Sequence, residues 1–218
     1  MVPLIDIHNH KSITKKEVIS ITNNELSHSE PKDLENQFFS SGLHPWYNKT
    51  VESINLLNNI TSHKNLLAIG ECGLDKINGA PLNIQQIILK EHIKISEALQ
   101  KPLIIHCVGY FNEIIALKKR LNPSQKWIIH GFKGHPQLAK QLSSMDIILS
   151  FGEALVKGDY KATASLNIVK EKLFFLETDS SDINIETVYR KASNALKIKE
   201  EELKKIINSN FISNFTVK

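Results

Sequence analysis

The sequence predicts an α/β protein, a TIM-type (β/α)8 barrel that is distorted or shortened in its N-terminal quarter. Three observations carry that prediction. Eight short apolar runs recur along the 218 residues, helical patterns separate the later runs, and residues of metal-binding type follow most of them. Continuous apolar runs suit strands buried on both faces, as in a parallel sheet. Strands alternating with helices mean βα units, and eight such units close into a barrel, usually of about 250 residues.

The runs are Leu4–Ile7, Val18–Ile21, Phe38–Leu43, Leu66–Ile69, Leu103–Cys107, Trp127–Ile129, Ile147–Phe151 and Leu173–Leu176. Each is bounded by polar, glycine or proline residues. Helical spacing appears over Asn83–Gln100, where Ile84, Ile87, Ile88, His92, Ile95 and Leu99 recur at about 3.6 residues. It recurs over Phe111–Leu121, Pro136–Ser143, Thr163–Lys170, Ile185–Leu196 and Glu200–Asn208. The N-terminal quarter departs from the ideal. Only Lys11–Glu17 separate the first two runs, whereas a parallel crossover normally takes about a dozen residues. Asn23–Gln37 is polar and contains Pro31. The first one or two helices are therefore expected to be missing or reduced to turns, and the second run could pair otherwise, for example antiparallel. No repeat or linker divides the chain, so a single domain over residues 1–218 is expected.

Composition narrows the function classes. A hydrophobic share of 41% is enough for a real core. The net charge of +4 suits anionic substrates but is too small to imply nucleic acid by itself. Arg120 and Arg190 are the only arginines, few for bidentate phosphate binding. Cys72 and Cys107 are taken to sit in apolar runs and read as reduced thiols, not a disulfide framework. Asp6 and His8 precede any hydrophobic stretch, so no N-terminal signal is expected. No apolar run is long enough to span a bilayer. A cytoplasmic protein is expected, monomeric or a small homo-oligomer, with no membrane association and no obligate protein partner.

In a barrel of this kind, the strands' C-terminal ends build the active site. His8 and His10 end the first run, two residues apart, and on a strand would face the same way. The later runs lead into Gly42-Leu43-His44-Pro45-Trp46, Gly70-Glu71-Cys72-Gly73-Leu74-Asp75, His106, His130-Gly131-Phe132 and Glu177-Thr178-Asp179-Ser180. One such residue alone is commonly a structural histidine or a helix cap. His8, His10, Glu71, His106, His130 and Asp179 arising from five strand ends are harder to explain so. Four imidazoles and two carboxylates suit a pair of divalent cations. Two metals about 3.5–4 Å apart can clamp a water and stabilise an oxyanion, and Glu71 could bridge them. The same residues also permit a single-metal site. His28, His63, His92 and His135 are read as structural.

Together these motifs resemble the TatD family of metal-dependent deoxyribonucleases, which belongs to the amidohydrolase-like barrels. The resembling series is Asp-x-His-x-His, Gly-x-His-Pro, Gly-Glu-x-Gly-Leu-Asp, Pro-x-x-x-His, His-x-Phe-x-Gly and Glu-Thr-Asp, in family order from Asp6 to about Asn214. The resemblance implies that His8, His10 and Asp179, with Glu71, hold one divalent ion. It implies that Glu71, His106 and His130 hold a second, the ions being Mg, Mn or Zn. Asp179 would be the general base, with Glu71 the other catalytic carboxylate. His44 would face substrate, its alternative being a capped loop histidine. Lys133 would supply a positive charge to substrate or be a solvated loop lysine.

The function implied is cleavage of phosphodiester bonds in DNA. One departure bears on substrate: Val108 stands where family members often carry an arginine two residues after the fifth-strand histidine. The alternatives are two-metal hydrolysis of a small phosphoester, lactone or cyclic amide, or a non-catalytic metal-binding protein. Asp75 is expected to fix its loop, Glu153 to pair with a lysine, and Trp127 to pack. Trp46 packs too, or stacks on a base.

Overall fold

The structure is a computed structural model, which describes residues 2–11, 15–27, 36–60 and 62–215. Among them, eight strands form one sheet in sequence order: β1 (Leu4–Asn9), β2 (Val18–Glu25), β3 (Phe38–Gly42), β4 (Leu66–Asp75), β5 (Leu103–Val108), β6 (Trp127–Ile129), β7 (Ile147–Phe151) and β8 (Phe174–Leu176). The pairings β1–β2, β3–β4, β4–β5 and β7–β8 are parallel. A parallel bridge between Asn9 and Asp179 joins the first strand to the segment just beyond the last. Sequential parallel strands with first and last joined are the topology of a (β/α)8 barrel.

The helices are α1 (Leu82–Leu99), α2 (Phe111–Leu121), α3 (Pro136–Ser143), α4 (Glu153–Val156), α5 (Tyr160–Val169), α6 (Ile185–Leu196) and α7 (Glu200–Asn214). A 3-10 helix over Val51–Asn59 stands between β3 and β4. Among the described residues no helix lies between β1 and β2 or between β2 and β3, as the short spacing predicts. The antiparallel alternative for β2 is corrected. It pairs parallel with β1, Leu4 opposite Val18 and Ile5 opposite Ile19, after a connection shorter than the usual crossover. His28 and Pro31 lie outside the described residues.

Several strands run further than their apolar cores. β4 continues from Ile69 through Gly70 to Asp75, so Glu71 lies within a strand, not in the loop after it. Glycine makes this possible. Gly73 has φ +147°, and a Cβ there would collide with the carbonyl oxygen of His106 on the neighbouring strand. With nothing between the two backbones, β4 pairs with β5 as far as Asp75 opposite Val108. β2 likewise extends through Asn23 to Glu25.

The described residues divide into two compact units. One holds those up to Thr22 and those from Ile128 onward; the other holds those from Asn23 to Trp127. In the first, Ile5, Ile7, Phe174, Phe175, Val188 and Ile207 are fully buried. The Tyr189 hydroxyl fixes α6 to β1, accepting from the Ile5 N–H at 3.0 Å and donating to the Ile5 carbonyl at 3.2 Å. In the second, every residue of β4 is buried, and Leu89, Ile93, Ile104 and Ile105 pack around it. A satellite cluster of Leu43, Leu57 and Ile88 seats the 3-10 helix. Trp127 is fully buried as expected, with the Lys118 ammonium 5.1 Å over its ring. Both cysteines are free, and burial pushes the Cys107 thiol up to about 12.

Candidate metal centre

In the first unit, β1 delivers His8 to the end of a fully buried strand, with His10 just beyond it. The chain after β8 brings Asp179 alongside. The Asp179 N–H donates to the His8 carbonyl at 2.9 Å, and the His10 N–H donates to the Asp179 carbonyl at 3.2 Å. Asp179 Oδ1 lies 3.3 Å from His10 Nε2 and 3.7 Å from His8 Nε2. His130, after β6, sets its ring 4.4 Å from that of His8, tilted by 50°. One ligand atom from each of His8, His130 and Asp179 lies within 4.8 Å of the others. Two borderline nitrogens and a carboxylate oxygen at that separation form a donor set suited to one Zn²⁺- or Mn²⁺-like ion. The chemistry therefore fits the cation that the sequence implies.

Two further carboxylates support this group. Asp6 is wholly buried and accepts from the Thr178 N–H at 3.0 Å and the Thr178 hydroxyl at 2.6 Å. Burial pushes its carboxyl up to about 7, against the lowering effect of those two bonds. The contact fixes the turn that carries Asp179. Glu177 accepts from the Gly131 N–H, and its Oε1 lies 3.6 Å from His130 Nδ1. Sequence reasoning assigned neither a role, although both stand in the motifs that signalled the site.

In the second unit, Glu71 on β4, His106 on β5 and His44 after β3 bring their ligand atoms together, again within 4.8 Å. Glu71 Oε1 is 2.9 Å from His44 Nε2 and 3.1 Å from His106 Nδ1. The two imidazoles differ in what they can offer. His106 Nε2 lies 2.8 Å from Asp75 Oδ2, so it donates there and turns the Nδ1 lone pair towards Glu71. His44 Nδ1 already accepts the Trp46 N–H at 3.1 Å, so its proton sits on Nε2 and points at Glu71. A neutral imidazole has one lone pair, and that of His44 is in use. His44 is therefore built as a hydrogen-bond donor, while His106 and Glu71 keep their ligand character.

Asp75 does more than fix its loop. Its Oδ1 accepts from the N–H groups of Ile77 at 2.7 Å and Asn78 at 2.8 Å. Its Oδ2 takes His106 and the Trp46 indole N–H, the latter at 2.7 Å. Burial alone would raise this carboxyl, but the bonds from Asn78, Trp46, His106 and Ile77 outweigh it and hold it well below the usual range. Sequence reasoning also missed Asn23 and Glu25 on β2. Asn23 exchanges hydrogen bonds with Glu71, donating to Oε2 at 3.4 Å and accepting its N–H at 3.1 Å. Glu25 Oε2 accepts the His44 N–H at 2.6 Å. Their two-residue spacing repeats that of His8 and His10, and this was the available signal.

Lys133 is exposed in the loop after β6. Glu153 pairs with Lys157 at 2.9 Å, as expected. His63 accepts the Asn65 N–H at 3.1 Å, and His135 immediately precedes α3.

Sequential parallel strands with imidazole and carboxylate groups at their ends define a class: barrel proteins with a candidate metal centre at the strand ends. Comparison with known proteins narrows the class to one family. The family model for TatD-related DNases matches residues 7–216, and the chain belongs to that family. An uncharacterized metal-dependent hydrolase of Buchnera aphidicola is 33% identical over 153 residues, covering 68% of this chain and 58% of the relative. The deoxyribonuclease Tat-D of Schizosaccharomyces pombe is 25% identical over 119 residues, 53% of this chain and 38% of that protein. The crystal structure of the TatD homologue YJJV from Escherichia coli superposes with a TM-score of 0.76 at 19% identity, covering 99% of this chain and 98% of that one. It shares the barrel fold. The chain spans less than two thirds of the length of the first curated relatives it matches. No helix among the described residues is long and apolar enough to cross a membrane.

Proposed function

We propose that this chain is a divalent-metal-dependent hydrolase that cleaves phosphodiester bonds in DNA. The observation that carries the reading is the joining of imidazole and carboxylate donors in each unit: His8, His130 and Asp179 in one, Glu71 and His106 in the other. Family membership supports it, and so does the Schizosaccharomyces relative's name. His8, His10 and Asp179 would hold one cation, joined by His130, which the resemblance assigns to the second ion but which groups with His8 and Asp179; Glu71 and His106 would hold the other. Bound there, such ions supply Lewis acidity to the scissile group. Asp179 takes a proton from the attacking water. His44, whose Nε2 proton is held by Glu71, orients that carboxylate and faces the substrate beside it, and Lys133 offers a charge to the substrate strand.

The test is a hydrolysis screen on chelator-stripped protein reloaded with Mg²⁺, Mn²⁺ or Zn²⁺. Single-stranded DNA, nicked duplex, RNA, small phosphoesters and lactones are offered in parallel. DNA cleavage that falls about 10²–10⁴-fold in Asp179→Asn and is abolished in Glu71→Ala is expected. Intact DNA beside a hydrolysed lactone or small phosphoester would transfer the metal chemistry to that substrate, a reading Val108 favours. Absence of bound metal, with ligand substitutions that change nothing, would leave a binding protein on the same scaffold.

A further inference from the structure

We propose that Trp46, flanked by the Tyr47 ring standing at 77° to it, forms a stacking shelf for an unpaired base of a DNA strand beside His44 and His106. The inference rests on the nuclease reading and adds how the substrate is gripped. Large aromatic side chains normally bury themselves, yet Trp46 is 42% exposed and Tyr47 52% exposed. Neither is loose. The Trp46 indole N–H is held by Asp75, and its ring stands edge-on to His44 at 4.9 Å and to His106 at 5.7 Å. The Tyr47 N–H donates back to the His44 carbonyl at 3.2 Å, and its ring lies 5.5 Å from the His44 ring. The indole is thus fixed by the same carboxylate oxygen that orients His106, and part of its surface is left to solvent.

The surroundings suit a polyanion. Lys49 and Lys76 are exposed on the same cluster of loops, and the Lys49 ammonium bridges to the Asn78 carbonyl. The Lys76 N–H donates to the Val108 carbonyl at 2.9 Å, which places that lysine beside the end of β5 that carries His106. Aromatic faces interleaved with cations are how sequence-tolerant proteins hold single strands. A duplex keeps its bases stacked on one another and offers the shelf nothing.

The experiment measures binding without turnover. A fluorescent single-stranded oligonucleotide, a duplex and an abasic strand of equal length are titrated by anisotropy onto protein kept in chelator. Trp46→Ala is expected to weaken single-strand binding roughly 5- to 150-fold, with little effect on the duplex. Tyr47→Ala should give a smaller loss, and Trp46→Phe should fall between wild type and Trp46→Ala. The abasic strand should bind wild type as weakly as the intact strand binds Trp46→Ala. Since Trp127 is fully buried, quenching of tryptophan emission by the intact strand reports Trp46. Unchanged affinity in well-folded Trp46→Ala and Tyr47→Ala, or equal binding of the abasic strand, would overturn the shelf whether or not DNA is cleaved. Tight stacking without cleavage on metal reloading would keep the shelf and remove the nuclease.

Discussion

At the residue scale, His92 shows what burial decides. It is fully buried on α1, its Nδ1 donating to the Ile88 carbonyl at 2.8 Å and its Nε2 accepting the Leu43 N–H at 3.0 Å. Both nitrogens are committed to the neutral form, and desolvation brings the pKa down to about 4. The unfolded chain, with an ordinary value near 6.5, therefore takes up this proton first as pH falls. The stability tied to His92 is whole above pH 6.5 and is lost towards pH 4, about 3 kcal/mol across the window. Urea unfolding of wild type and His92→Gln on both sides of that window should show a smaller acid loss in the variant. A similar test applies to Thr178, whose hydroxyl donates to the buried Asp6 carboxyl at 2.6 Å. Thr178→Val should cost about 2 kcal/mol in the same assay. Helical spacing in the sequence places His92 on a buried face, but its long-range partner in the β3 loop is invisible to local pattern. That partner is the N–H just before His44, so a residue read as structural steadies a candidate functional loop.

At the element scale, the apolar runs locate the strands, but their polar extensions escape notice. Glu71, Asn23 and Glu25 lie inside strands because backbone pairing continues where hydrophobicity stops. Glycine permits this in β4, and substitution tests it. Gly73→Ala sets a side chain against the His106 carbonyl and should cost several kcal/mol or prevent folding. Gly158 also has positive φ, +75°, yet has open space around it, so Gly158→Ala should cost only about 1–2 kcal/mol. Equal losses in denaturant titrations would mean that backbone conformation, not close approach to β5, sets the requirement. The helices are more legible. α2, α3 and α6 match their sequence patterns end to end, while α7 runs on to Asn214 because its later turns bury Asn210 and Phe211. The short α4 carries too few residues for any period to show.

At the scale of the whole molecule, the fold is legible because a parallel sheet buried on both faces must be written in continuous apolar runs. The candidate site is legible in outline because its donors cluster at strand ends. The support for those donors comes from Asp6, Asp75 and Glu177, whose roles depend on distant partners. Cation binding should register in global stability. Protein stripped with chelator and resupplied with Mn²⁺ or Zn²⁺ at about 100 times its dissociation constant should gain about 2.7 kcal/mol, or roughly 5–10 °C in melting temperature. His8→Ala should lose most of that gain, and a calorimetric scan with and without metal reads it directly.

The stitch between Asn9 and Asp179 has a temporal consequence for a chain made from its N-terminus. His8 and His10 leave the ribosome some 170 positions before the backbone groups of Asp179 that lock them. Until Thr178 and Asp179 emerge, β1 has β2 beside it but lacks its partner beyond β8, and closure over so long a separation is slow. Nascent chains halted before Thr178 should therefore fail to retain zinc through the first unit, and those released beyond it should acquire that grip as the ring shuts.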